Sequence, residues 1–149
     1  MRTAYAKSSL SVADAFAQWP RLSAQAYQSA THGERYVENY ANAKAAAYGR
    51  FEEAGAMPVG SVLAKPSFVA HPNGRLAVGP LFVMEKMPAG FLEASGDWKY
   101  SMIMPNGSLF GQTRGVNSTG MKFCYECHAA AADNDHLFFL PEEYRASGN

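Results

Sequence analysis

Both cysteines of this 149-residue chain fall in one five-residue run, Cys124-Tyr125-Glu126-Cys127-His128. On a helix, positions three and four apart share a face, so the two thiols and the imidazole would project together. Thiols one turn apart can form thioethers with the two vinyl groups of a single porphyrin. The adjacent imidazole then reaches the iron as its proximal ligand. Three other chemistries compete for these residues. A zinc site needs further ligands, and His32, His71 and His136 show no finger spacing. A redox dithiol normally sits where a strand feeds a helix in a βαβ unit, and no such unit is evident. Two inert buried thiols would leave His128 unexplained. Attachment of one haem by Cys124 and Cys127, with His128 on the iron, accounts for all three residues.

A haem held this way has a second face. An electron carrier fills it with another strong ligand, commonly Met or His, whereas a gas binder or an enzyme leaves it open. Seven methionines and three further histidines supply candidates, so composition does not decide. Position is more helpful. The run lies near the C-terminus, behind a stretch of strands, unlike small electron-transfer cytochromes with an early motif in a helical chain.

The chain that must position these groups is 48% hydrophobic and 17% charged, which excludes a disordered tail. Thirteen basic and thirteen acidic residues give no net charge and argue against a broadly basic nucleic-acid surface. No apolar run approaches the ~20 residues of a membrane-spanning helix. The first ten residues, MRTAYAKSSL, lack the apolar core of a secretory leader. Export would therefore require a leader absent from this sequence.

Residues 1–31 read as an N-terminal helical region in which Ser11 caps a segment bearing Val12, Phe16 and Trp19, broken by Pro20. A second helix is expected from His32 to Ala54, because Tyr36, Tyr40, Ala43, Ala47 and Phe51 recur at helical spacing and Gly55 offers a stop. Strands follow at Val59–Ala64 and Ser67–Ala70, then a turn at His71-Pro72-Asn73-Gly74, then a strand over Leu76–Met84 interrupted by a bulge at Gly79-Pro80. Trp98–Met104 alternates, and Pro105-Asn106-Gly107 turns it into Ser108–Phe110. Met121–Ala132 reads as a short helix and Phe138–Leu140 as a closing strand. The expected class is α+β: an antiparallel sheet, N-terminal helices packed on it and a short C-terminal helix carrying the cysteines, in a single domain over 1–149.

Three stretches together with that run carry a family resemblance. They are Gly60-Ser61-Val62-Leu63-Ala64-Lys65, Asp97-Trp98-Lys99-Tyr100-Ser101-Met102-Ile103, and Phe123 through His128 followed by His136-Leu137-Phe138-Phe139. With Arg35-Tyr36-Val37 they resemble the cytochrome P-460 family, which includes the cytochromes c′-beta, over roughly residues 32–145. The resemblance implies a periplasmic homodimer carrying one covalent haem c, its iron five-coordinate through His128. It also implies that Lys65 matches the lysine that cross-links the porphyrin in proteins oxidising hydroxylamine to nitrogen oxides. In the c′-beta branch the haem is unmodified, the distal side is lined by phenylalanines, and nitric oxide or carbon monoxide binds. The redox partner is unspecified.

Lys65 has an ordinary alternative as an edge lysine reaching water, and Pro66 beside it bears on its aim. Glu85 is a candidate base for taking protons from hydroxylamine, or a surface partner of a lysine. Phe68 and Phe82 are candidates for the cofactor's apolar surroundings, as Phe51 and Phe91 are, although each also suits a core. Arg35 and His136 are candidate partners of the haem propionates.

Overall fold

The computed structural model describes residues 4–146. Its centre is an antiparallel sheet of β1 (Tyr27–Ser29), β2 (Arg35–Val37), β3 (Tyr40–Ala41), β4 (Val62–Ala70), β5 (Leu76–Lys86), β6 (Trp98–Ile103) and β7 (Leu109–Gln112). The spatial order is β1-β2-β4-β5-β6-β7, and β3 pairs with β4 beyond the end of β2. Two α-helices, α1 (Val12–Ala15) and α2 (Lys122–His128), flank it together with several 3₁₀ segments. The α+β class, the antiparallel sheet and the C-terminal helix all agree with the sequence reading.

The first third departs from that reading in detail. Instead of one helix over 32–54, the chain makes β2, β3 and a kinked 3₁₀ segment, Ala43–Glu53. Tyr36 pairs with Phe68 and Tyr40 with Ala64, so these aromatics serve strands. The helical segment starts only at Asn42, whose side chain accepts from the Ala45 amide at 3.0 Å and from the Val62 amide at 3.0 Å. Residues 138–140, expected as a closing strand, form none.

Pro66 lies inside β4, where it lacks a donor. It still supplies its carbonyl to the Glu38 amide at 3.3 Å, in the gap between β2 and β3. Across from it, the register slips between Pro66 and Phe68, leaving Gly79 and Pro80 as the bulge expected on β5. Ser67 Oγ donates to the Pro80 carbonyl at 2.6 Å, and Tyr5 Oη donates to the Gly79 carbonyl at 2.8 Å.

Register divides the sheet's side chains between two faces, because directly paired residues point the same way. Lys65, Phe82 and Met102 form one row; Leu63, Met84 and Tyr100 form the next; Lys86 and Trp98 form a third. This face joins Tyr27, Val37, Tyr48, Met121, Leu137 and Leu140 in one core. The other face, with Ala64, Leu81, Val83 and Ile103, is covered by Tyr5, Ala13 and Phe16 of the N-terminal segment. Leu81 and Ile103 are wholly buried there, each removing roughly 2–3 kcal/mol of apolar surface from water.

Gly79 has a steric reason to be glycine. A Cβ there would lie 2.5 Å from Ser67 Oγ and 2.9 Å from an Arg35 guanidinium nitrogen. Gly79→Ala is therefore expected to lower unfolding free energy by about 1–3 kcal/mol in urea titration, by forcing apart the bulge and Arg35. An unchanged midpoint would contradict this account of the bulge.

Candidate functional site

Between the first face of the sheet and α2 lies a cavity of about 310 Å³. Its wall includes Lys65, Leu63, Phe82, Met84, Tyr100 and Met102 from the two sheet rows, and Cys124, Cys127 and His128 from α2. Arg35, His32, Tyr48 and Phe138 complete the parts that matter for chemistry. The helix α2 places Cys124, Cys127 and His128 as their spacing requires, and buried Met121 anchors its start to the core.

His128 is the most tightly specified group. Its Nδ1 donates to the backbone carbonyl of His136 at 2.7 Å. A carbonyl only accepts, so Nδ1 carries the proton and Nε2 presents a lone pair. The ring lies 5.2 Å between centroids from Tyr100 and 5.2 Å from Phe138. Burial pushes its pKa down to about 4, so the imidazole is neutral and able to ligate a metal at neutral pH. Cys124 is half-buried and Cys127 exposed, and both are free thiols. Burial, then the neighbouring Cys127, pushes Cys124 up to about 12.

The carbonyl that holds His128 is itself placed by an unusual turn. Asp135 and His136 are consecutive non-glycine residues with φ of 55° and 61°. Such residues cost on the order of 1–3 kcal/mol each and need support from their surroundings. Asp135 receives it from the Met57 amide at 2.8 Å, from an ion pair with Lys86, and from Trp98 Nε1 donating to its carbonyl at 2.8 Å. Lys86 and Trp98 are the third row of the sheet face. The His136 side chain does not reach the cavity wall, contrary to its expected role toward a propionate. It packs over Gly96, whose φ of +59° and lack of Cβ leave room for the ring, and its Nδ1 is buried without a partner.

Lys65 enters the cavity because it shares a row with Phe82 and Met102. Its amine has no hydrogen bond or ion pair among the described residues, and the residue lines the cavity. Desolvation pushes its pKa down to about 8. Arg35 also lines the cavity with no salt bridge or hydrogen bond among the described residues. Tyr100 Oη is buried with no hydrogen bond among the described residues, and burial, aided by Cys124, raises its pKa above the ordinary range.

Two other expectations are corrected by the register. Glu85 pairs with Val62 and Lys99 in the sheet, on the face turned away from the cavity, where it makes an ion pair with Lys99 at 2.5 Å. It cannot act as a base inside. Phe68 stacks on Tyr36 at 5.4 Å and lies outside the cavity wall, whereas Phe82 is in it. Phe51 and Phe91 instead carry the guanidinium groups of Arg145 and Arg114. Among the polar wall residues, His32 and Tyr100 carry no site role in the sequence reading.

The donor set suits a haem. A largely apolar cavity holds one imidazole lone pair, two thiols on the same helical face, and three polar groups without a hydrogen bond or ion pair among the described residues: the Arg35 guanidinium, the Lys65 amine and Tyr100 Oη. An apolar macrocycle with anionic substituents would supply what these groups lack, and a lone pair on His128 and the charge of Arg35 are of the kinds such a group would meet. Fold and donor set thus define a haem-iron protein built on an antiparallel sheet. The Cytochrome P460 family model matches residues 13–139, and the chain belongs to that family. No curated protein matches it. No helix of the described residues is long and apolar enough to cross a membrane.

The unpaired amine of Lys65 has a measurable consequence before any cofactor is attached. Its folded pKa lies below its ordinary value of 10.5, so the unfolded chain binds more protons between pH 8 and 10.5. The cost of burying the charge is fully present below pH 8 and disappears as pH rises through that window. Cofactor-free protein should gain about 1–3 kcal/mol of stability across it, and Lys65→Leu should lose the rise while being more stable at pH 7. Parallel urea curves for the two proteins at both pH values would contradict an unpaired buried amine.

Proposed function

We propose that this chain is a periplasmic mono-haem c-type cytochrome that oxidises hydroxylamine to nitrogen oxides. Cys124 and Cys127 would hold the haem through thioethers and His128 Nε2 would ligate its iron, with no second strong ligand supplied from the cavity wall. The haem iron, when bound, supplies the site for the small nitrogen ligand and the route for its electrons to an external acceptor.

The observation that carries the reading is the Lys65 amine, unpaired in the wall beside Phe82 and Met102 with its pKa lowered toward neutrality. A neutral amine is a nucleophile, so a fraction of Lys65 would be competent at ordinary pH to bond a porphyrin carbon, the amine and the carbon each giving up one hydrogen as two electrons pass to an external oxidant of the peroxide class. Arg35 fixes the anionic edge of the cofactor, and the carbonyl of His136 holds His128 in one tautomer. Phe82, Leu63, Met84 and Met102 keep bulk water away. The family resemblance supports a homodimer and export to the periplasm.

One observation favours a second reading, reversible binding of nitric oxide or carbon monoxide. Among the described residues the wall contains no carboxylate, and Glu85 lies on the other face of the sheet. A site without an acid suits an uncharged diatomic molecule. The Lys65→Leu holoprotein separates the two readings. Hydroxylamine oxidation requires that this variant lose the red-shifted Soret band of the wild type and most of its turnover. Equal turnover in both proteins would sink the cross-link, and no turnover in the wild type, with tight nitric oxide binding, would establish the second reading.

A further inference from the structure

His32 stands in the same cavity wall and has no part in the reading above. It ends the 3₁₀ turn Ala30–His32 that follows β1, and Gly33 then turns the chain left-handed toward β2. Its Nδ1 lies 2.8 Å from Ser29 Oγ and 3.3 Å from Thr31 Oγ1. Its ring meets Phe82 edge-on, 4.8 Å between centroids, and Phe82 neighbours Lys65 on the sheet. A tethered imidazole is thus held against the wall in the row that carries the lysine.

What tethers Nδ1 distinguishes the two cavity histidines. The carbonyl at His128 accepts only, which fixes one tautomer and dedicates Nε2 to ligation. The hydroxyls at His32 both donate and accept, so either tautomer of that ring is satisfied. Ser29 is buried while Thr31 is exposed, so the hydroxyl pair connects the ring to solvent. Burial, and then the neighbouring Lys65 and His128, disfavours the doubly protonated ring. Such a ring is able to pass a proton by a change of tautomer, one proton arriving at Nε2 as another leaves Nδ1.

We infer that His32 is the proton-transfer residue of this cavity, linking it to solvent through Ser29 and Thr31. Its substrates are small ligands that bear a proton, with an N–H or O–H bond, or hydrogen cyanide as a probe. One proton passes from the ligand to Nε2, and one passes from Nδ1 through the hydroxyls to water. No electron moves in this step. The inference rests on the open coordination position proposed above, and it supplies the proton acceptor that Glu85 does not.

The test uses holoprotein and ligand-binding rates rather than turnover. Hydrogen cyanide must lose its proton to bind ferric haem, whereas carbon monoxide, binding ferrous haem, has none to lose. At neutral pH, His32→Phe should slow cyanide association by on the order of 100-fold, and Ser29→Ala by on the order of 10-fold, with carbon monoxide association little changed. If His32→Phe does not accumulate, Ser29→Ala must show the slowing, because it keeps the ring. Cyanide rates equal to wild type in the variants would overturn the inference. So would a change from low-spin to high-spin ferric spectrum in His32→Phe, which would make His32 an iron ligand. A wild-type holoprotein that binds neither cyanide nor carbon monoxide would overturn the open position itself, and that result precedes any variant.

Discussion

The hydrogen bond from His128 Nδ1 to the His136 carbonyl is the contact on which the site depends. A seven-residue helix can bring two thiols and an imidazole to one face, but it cannot set the imidazole's tautomer or rotation. Those are set by a carbonyl eight residues on, held in place by two successive left-handed residues. The cost of that backbone is offset by Asp135, which gathers the Met57 amide, the Lys86 ammonium and the Trp98 indole around one turn. Because Lys86 and Trp98 belong to β5 and β6, the sheet itself orients the histidine. The lysine also lies 5.1 Å over the Trp98 ring, which adds a cation–π contact to the ion pair.

The second constraint is the parity of strand register. In β4 and β5 every other side chain faces the cavity, so Lys65 and Phe82 enter it while Glu85 is committed to the far face. A one-residue slip would exchange the lysine for Ala64 or Pro66. The Gly79-Pro80 bulge absorbs the irregularity at Pro66 and keeps the strands in step on either side of it. This division leaves, among the described residues, a wall of apolar rows with cations and no acid, which shapes both proposed uses of the site.

Much of this was legible in the chain, and the pattern of success has a physical basis. The Cys124–His128 run is local, so its helical face could be read from spacing alone. The hairpin turns at His71–Gly74 and Pro105–Gly107 announce themselves through residues suited to turns. Tyr36 and Tyr40 misled because a spacing of four satisfies a helix period and also two strand positions on one face. Asn42 marked the true start of the 3₁₀ segment, but a single Asn is a weak signal. Glu85 and Phe68 could not be assigned to a face without knowing the register. His32, Tyr100 and the His136 carbonyl reach the site through contacts distant in sequence, and no local pattern points to them. His136 is instructive, since its position was noticed for the wrong atom.

The central claim is that Cys124, Cys127 and His128 hold one covalent haem in the cavity beneath Lys65. Intact mass under denaturing conditions, with the pyridine haemochrome spectrum of the same sample, tests it most directly. The account predicts a chain heavier by one haem, and a mutant lacking both cysteines that carries none covalently. A chain of unmodified mass, from a host able to attach haem to other proteins, would contradict it.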